Sequence, residues 1–591
     1  MTDRLQLTRN CQFYKIKTKM SGLYIKSILD AAVDNMCKDG DFILNILRKK
    51  MDIEVDKRTV SCKVSVRVYP SEKKVYFFND EIEDKIHAFI VIIEYGSYIG
   101  VVKKSCSNIT SVTEQRLSLV DSSQLGATID TNEVEFQKLT LRNITVSDKA
   151  MRTRSYEAAD LKGLLSPHAA GRSIPSAIKY RDGSSIRSIS GVGRFVEASP
   201  RSSLEDITKW VVSCIDSISA SQFADNYLNT FAKKIALPDV LSSCVPIAIL
   251  IEVNSLLDKI DSDDCVIKYT PRYGEAIKVS ERVCQRLIYG LEKVHEVVGS
   301  QYKVNGECDN TYLRVNSNTI TLRSNLLSRF KVTNNEDEYT LQRFIVKYGF
   351  YSVAFSDPKY MYFMGKCFED TSGVSDIQGI LDILTPKTEL LKVNSEKGDF
   401  SSSSTSFSSK SMFKAVEEIH SNDDFIFCDD LGIEWADHIT INQNEACINF
   451  IHSKHGDIST SASKLHDVVG QGIKNLGYVY SSVEAISERA NKKFAGNYNT
   501  NKQSTNISRV RKGVMSNLDS SLETLFKNYA LHRKCVLSCS FISKSLIEEE
   551  FKKIASGTKV KGHVIQLLWI LSSFIHASKE ANVIPVVYCL P

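Results

Sequence analysis

Alternation of apolar and polar positions is clearest near the start of the chain, where residues 60–69 (VSCKVSVRVY) put every second side chain on one face. That period predicts a half-buried strand. A Pro-Ser-Glu-Lys turn and a further strand over 75–79 should follow, and residues 87–104 (HAFIVIIEYGSYIGVVKK) read as two strands around a Tyr-Gly-Ser turn. With a helix expected near 25–36, the first 146 residues form a β-rich domain. Helical spacing recurs over 207–218, 227–236 and 283–298, and strand alternation returns at 312–322 and 351–367. No repeat of roughly 20 to 50 residues is visible.

The sharpest break is the run SSSSTSFSSKS at 401–411. A serine-rich stretch buries little apolar area, so residues 398–410 are expected to be a linker. After it the elements follow closely. Ser411 is placed to cap a helix through MFKAVEEIH to about residue 420. Residues 425–428 (FIFC), 434–441 (EWADHITI) and 446–454 (ACINFIHSK) read as three strands, and 459–478 as an amphipathic helix with Leu465, Val468, Val469 and Ile473 on one face. The order is α-β-β-β-α. Strands at 535–542 and 583–589 and helices at 546–555 and 563–577 extend it into an α/β sheet, with Trp569 and Phe574 as core residues. The expected plan is therefore a multidomain α+β and α/β chain. Its parts are a β-rich domain over 1–146, a basic loop-rich then helical region over 147–300, a mixed α/β region over 301–397, the linker over 398–410 and a last domain over 411–591.

Composition narrows the class without naming a function. A chain of 591 residues with 42% hydrophobic and 25% charged residues is a folded protein of several domains. The 15 cysteines are scattered and contain no CxxC pair, so neither a disulfide framework nor a cysteine zinc site is expected. The opening residues lack an apolar signal core, and the greasy stretches are too short to span a bilayer. A cytoplasmic protein with no membrane contact is the expectation. The net charge of +5 hides two local excesses. Residues 148–201 hold ten basic against five acidic side chains and read either as a phosphate-gripping loop surface or as arginines paired within a β-domain. Residues 489–512 hold Arg489, Lys492, Lys493, Lys502, Arg509, Arg511 and Lys512 with no acid, which reads either as a strip that contacts nucleic acid or as a mobile basic loop.

Candidate chemistry gathers in the last domain. Asp437 lies in the second strand of the α-β-β-β-α unit; His452 and Lys454 share one face at the end of the third, and Gln471 lies midway along the next helix. Polar side chains seldom finish a buried strand without a use or a partner. A salt bridge between Asp437 and Lys454, or a zinc site among His438, His452, His455 and His466, would also account for some of them.

Over about residues 411–480 the sequence resembles the catalytic core of the PD-(D/E)xK, restriction-endonuclease-like nuclease superfamily. The matches are Glu418 or Glu417 on the first helix, Asp437, Lys454 and Gln471. His452 stands where the family has its second acid, in the manner of His-x-Lys variants with a downstream Gly-Gln found among defence-type nucleases. The resemblance implies a restriction-endonuclease-like core and metal-dependent hydrolysis of phosphodiester bonds in DNA, with RNA as a further substrate, in bacterial anti-phage defence. It implies Mg²⁺ or Mn²⁺ held by Asp437 and His452, with Lys454 steadying charge on the phosphate. Glu434 is expected to point away from Asp437 and ranks below Glu418. The missing acid leaves open a catalytically inactive core that serves as a nucleic-acid-binding or scaffold subunit. No Walker A pattern is present, so any motor would be a partner subunit; a homo-oligomer is a further possibility.

Overall fold

Alternation in the N-terminal part builds a long strand, Arg58–Lys74, paired antiparallel with Leu44–Val55 and Glu83–Tyr95 in a computed structural model. The structure describes residues 4–34, 41–75, 82–130, 133–143, 152–162, 173–220, 227–271, 275–304, 311–333, 337–431, 434–458, 463–500 and 503–591. The protein is mixed α+β, rich in strand and built on several sheets. The chain clusters into two compact units that change over near residues 231 and 232.

The first unit carries an 11-stranded sheet. Its strands Glu83–Tyr95 and Tyr98–Lys104 meet at Gly96, whose φ of 55° suits the tight turn expected there. The turn expected at 70–73 is absent, because Pro70–Lys74 continue the long strand and pair with 83–87. The strand expected over 75–79 lies mostly outside the described residues. Helix Gly22–Val33 buries Ile25, Ile28, Leu29 and Ala32, and Leu204–Ala220 fulfils the helical spacing around 207–218. The basic stretch 148–201 is not loop-rich where it is described. Its strands Thr153–Glu157, Ser173–Asp182, Ser185–Ser190 and Arg194–Glu197 belong to the sheet. There Arg187 Nε donates to Glu197 Oε2 at 3.0 Å, so that arginine answers a neighbouring carboxylate.

The second unit carries sheets of nine, four, seven and two strands. The helix expected over 283–298 ends at Leu291, and His295–Val298 is a strand. The helical spacing expected over 227–236 gives only a 3-10 turn at Tyr227–Thr230, followed by strand Lys233–Ile235. The seven-stranded sheet is the one that positions the candidate site. We label its strands β1 (Leu384–Pro386), β2 (Phe425–Cys428), β3 (His438–Asn442), β4 (Cys447–Lys454), β5 (Val510–Lys512), β6 (His532–Ser543) and β7 (Ile584–Leu590). Their order across the sheet is β1-β7-β6-β4-β3-β2-β5. β2, β3 and β4 form an antiparallel meander, whereas β4, β6, β7 and β1 run parallel. The helices around it are α1 (Met412–Ile419), α2 (Ser463–Asn475), α3 (Val483–Lys493) and α4 (Gly562–Glu580).

Side-chain parity on β4 assigns the two faces. Ile448 and Phe450 pack with Leu465, Val468, Val469 and Ile473 of α2, while Ile451 packs with Met412, Ala415 and Val416 of α1. Ser411 caps α1, its Oγ accepting from Lys414 N at 3.2 Å. Helix α4 is buried almost all round, as a helix apolar on every side must be, and Trp569 and Phe574 lie in that core. The serine-rich run does not separate two units. Phe407 is buried with Phe413, Cys428, Tyr498 and Ile507, and Asn506 N donates to the Ser404 carbonyl at 3.0 Å. Two phenylalanines among the serines, Phe400 and Phe407, supply the apolar anchors that composition averages away. Among the described residues no helix is long and apolar enough to cross a membrane.

Candidate metal centre

The connection between β2 and β3 supplies the acids. Strand β2 ends at Cys428 and β3 begins only at His438, so residues 434–437 are not strand. Strand parity therefore does not apply to Glu434, and the expectation that it points away from Asp437 fails. One oxygen each from Asp430, Glu434 and Asp437 lie within 4.8 Å of one another. Sequence reasoning ranked Glu434 low and passed over Asp430. The acidic pair Asp429-Asp430 at a strand end and the Glu-x-x-Asp spacing were the signals available.

Several contacts hold this connection in place. Asp429 is fully buried; its Oδ2 accepts from Trp435 N at 2.9 Å and its carboxylate takes Arg489 Nη2 at 2.6 Å. The Arg489 guanidinium lies 4.6 Å from the Trp435 ring centroid, and Trp435 stacks on Tyr478. Asp437 Oδ2 accepts from Ser453 N at 2.6 Å, and Asp437 N donates to the Ile451 carbonyl at 3.0 Å. The pair His438 with Ile451 opens the β3 to β4 register, and Asp437 lies just outside it, held by Ile451 and Ser453. Lys454, two residues on from His452 in β4, shares the face of that histidine.

Burial shapes the electrostatics. Desolvation, then Glu434, raises the Asp437 carboxyl well above its ordinary range. Desolvation, then Asp430 and Asp429, pushes Glu434 up to about 7. Burial alone pushes the His452 imidazole down to about 4, so it is neutral at pH 7, and its Nδ1 is buried without a hydrogen-bond partner. Glu434 and Asp437, which resist ionisation, converge with Asp430 into an oxygen donor set suited to a hard divalent ion. The residues present thus fit Mg²⁺ or Mn²⁺.

Other expected site residues are placed differently. His452 lies on the α2 face, where a Cβ at Gly472 would come 3.7 Å from its Cδ2, but no histidine nitrogen joins the set of three acids. Lys454 is half-buried and has no ion pair among the described residues, so the salt bridge with Asp437 does not form. Gln471 is half-buried on α2 and makes no hydrogen bond among the described residues. Glu418 pairs with Lys392 at 2.6 Å, and Glu417 pairs with Arg511 and Lys414. Both sit on α1, and neither joins the set of three acids. The four histidines do not gather: His438 meets the Phe413 ring of α1, on the sheet face away from His452.

The basic run 489–512 is largely turned inward. Arg489 is committed to Asp429, Arg511 to Glu417, and buried Arg509 donates to the carbonyls of Cys428 and Asp430, both at 3.1 Å. Lys512 Nζ donates to the Ser421 carbonyl at 2.6 Å, and exposed Lys492 pairs with Glu488. Lys493 is exposed, and Lys502 lies outside the described residues. Counting charges along the chain could not reveal that the arginines are spent on the fold.

Comparison with family models, with curated proteins and with solved structures finds no match to this chain.

Proposed function

We propose that the second unit is a divalent-metal-dependent nuclease of the PD-(D/E)xK type, acting on DNA or RNA in anti-phage defence. The observation that carries this reading is the convergence of Asp430, Glu434 and Asp437 beside the end of β4, with Asp437 tied to the His452-Ser453-Lys454 triplet through Ser453 N. The α1-β2-β3-β4-α2 order and the mixed sheet around it support a restriction-endonuclease-like core. A cytoplasmic protein that works with a partner subunit or as a homo-oligomer belongs to the same reading.

Asp430, Glu434 and Asp437 would hold Mg²⁺ or Mn²⁺. Such an ion would supply a bound water of lowered pKa and polarisation of a phosphate oxygen. Asp437 is oriented by Ser453 N, which occupies one of its oxygens. Lys454 brings a positive charge with no carboxylate of its own, available to offset charge building on the phosphate. His452, neutral through burial, adds no competing charge and packs the end of β4 against α2.

A second reading, an inactive core that only binds nucleic acid, is favoured by the Lys397 ammonium already seated on Asp430 at 2.5 Å. Cleavage of plasmid and single-stranded DNA and RNA in Mg²⁺ or Mn²⁺ separates the two. The nuclease reading expects the folded wild type to cut and Asp437→Ala and Lys454→Ala to lose at least about a hundredfold in rate. Equal cutting by all three removes the assigned site; binding without cutting favours the inactive core.

A further inference from the structure

One cation is already present at the acidic centre, and it comes from Lys397, immediately before the serine-rich segment. Lys397 Nζ lies 2.5 Å from Asp430 Oδ2, which also accepts from the Tyr498 hydroxyl at 2.9 Å. The ammonium stands 5.3 Å from the Phe413 ring centroid and 6.0 Å from that of Tyr498, so its surroundings suit a cation on more than one side. Its side chain is only 30% exposed.

The backbone explains why it stays there. Met412 N donates to the Ser395 carbonyl at 2.9 Å, and Phe413 N to the Glu396 carbonyl at 3.2 Å, which pins residues 395 and 396 to the start of α1. Gly398 follows at φ 76°, and a Cβ there would meet Ser408 Cβ at 2.3 Å. Only glycine makes this turn against Ser408, and the turn fixes the reach of the neighbouring lysine.

We propose that Lys397 is a tethered counter-cation of the acidic centre. It occupies the Asp430 limb in the metal-free protein and gives it up when a divalent ion binds, so affinity for the ion is set by competition with one internal ammonium. This rests on the reading of Asp430, Glu434 and Asp437 as the metal centre. A divalent ion there must both break the ion pair and tolerate the displaced positive charge nearby. At an effective dielectric of about 20 each effect is large enough to change affinity by at least about tenfold.

The test is direct titration of full-length protein with Mn²⁺, counting free ion by its electron paramagnetic resonance signal. Lys397→Met keeps the aliphatic stem, and Lys397→Gln keeps a donor for Asp430; either should bind Mn²⁺ at least about tenfold more tightly than wild type. Lys397→Arg keeps the charge and should stay within about threefold of wild type. Asp437→Asn should lose the site in every background. Unchanged or weaker binding in both neutral variants, with the Asp437 dependence intact, overturns the role of Lys397 and leaves the metal centre standing. Absence of Asp437-dependent binding in every protein removes the centre and the proposal with it.

Discussion

Raising the pH of the metal-free protein should weaken it, and Glu434→Gln should remove much of that loss. Glu434 ionises at about 7 in the folded protein against an ordinary 4.5. Between those values the folded chain binds more protons than the unfolded one, so stability is lost as the pH climbs through the window. A rise of about 2.5 pKa units corresponds to roughly 3 kcal/mol at 1.36 kcal/mol per unit, and partial solvent access brings this to about 2 kcal/mol. Asp437, raised by the same burial and by Glu434 itself, acts in the same direction. Urea denaturation in EDTA at pH 5 and pH 8 measures the effect. Glu434→Gln should be more stable than wild type by about 2 kcal/mol at pH 8 and nearly equal to it at pH 5. Saturating Mn²⁺ should close the gap at pH 8 by stabilising wild type. A variant that is less stable at pH 8, or one whose difference from wild type ignores pH, refutes the electrostatic account of the centre.

Arg489→Ala should cost about 3–5 kcal/mol of stability, because it strands the fully buried Asp429 carboxylate, and chemical denaturation would show it without any nucleic acid present. A change below about 1 kcal/mol would mean that Arg489 does not hold the acidic connection. Charge reversal of Lys492 and Lys493 should leave stability within about 0.5 kcal/mol, since both are exposed on α3. A large loss in that double variant would contradict their surface placement.

Regular elements around the site were legible because each buries one face. Helix α2 shows its spacing in Leu465, Val468, Val469 and Ile473, and β4 packs these against Phe450. What failed was irregular backbone held by tertiary contacts. Residues 434–437 look like the start of a strand, yet Asp429 takes the Trp435 N–H and Ser453 takes the Asp437 carboxylate. No local pattern encodes either partner. Charge counting failed for the same reason. Arg489, Arg509 and Arg511 resemble a phosphate strip in sequence but serve Asp429, two backbone carbonyls and Glu417. Lys397 escaped notice because serines dominate its neighbourhood, while Gly398 and Phe407 determine where it goes.

The acidic centre is tested most directly by anomalous X-ray scattering from a crystal equilibrated with Mn²⁺. The account predicts a Mn²⁺ peak about 2 Å from carboxylate oxygens of Asp430, Glu434 and Asp437 in wild type, and its loss in Asp437→Asn. A peak at another site, or none at this one in a protein that cleaves nucleic acid with Mn²⁺, would contradict it.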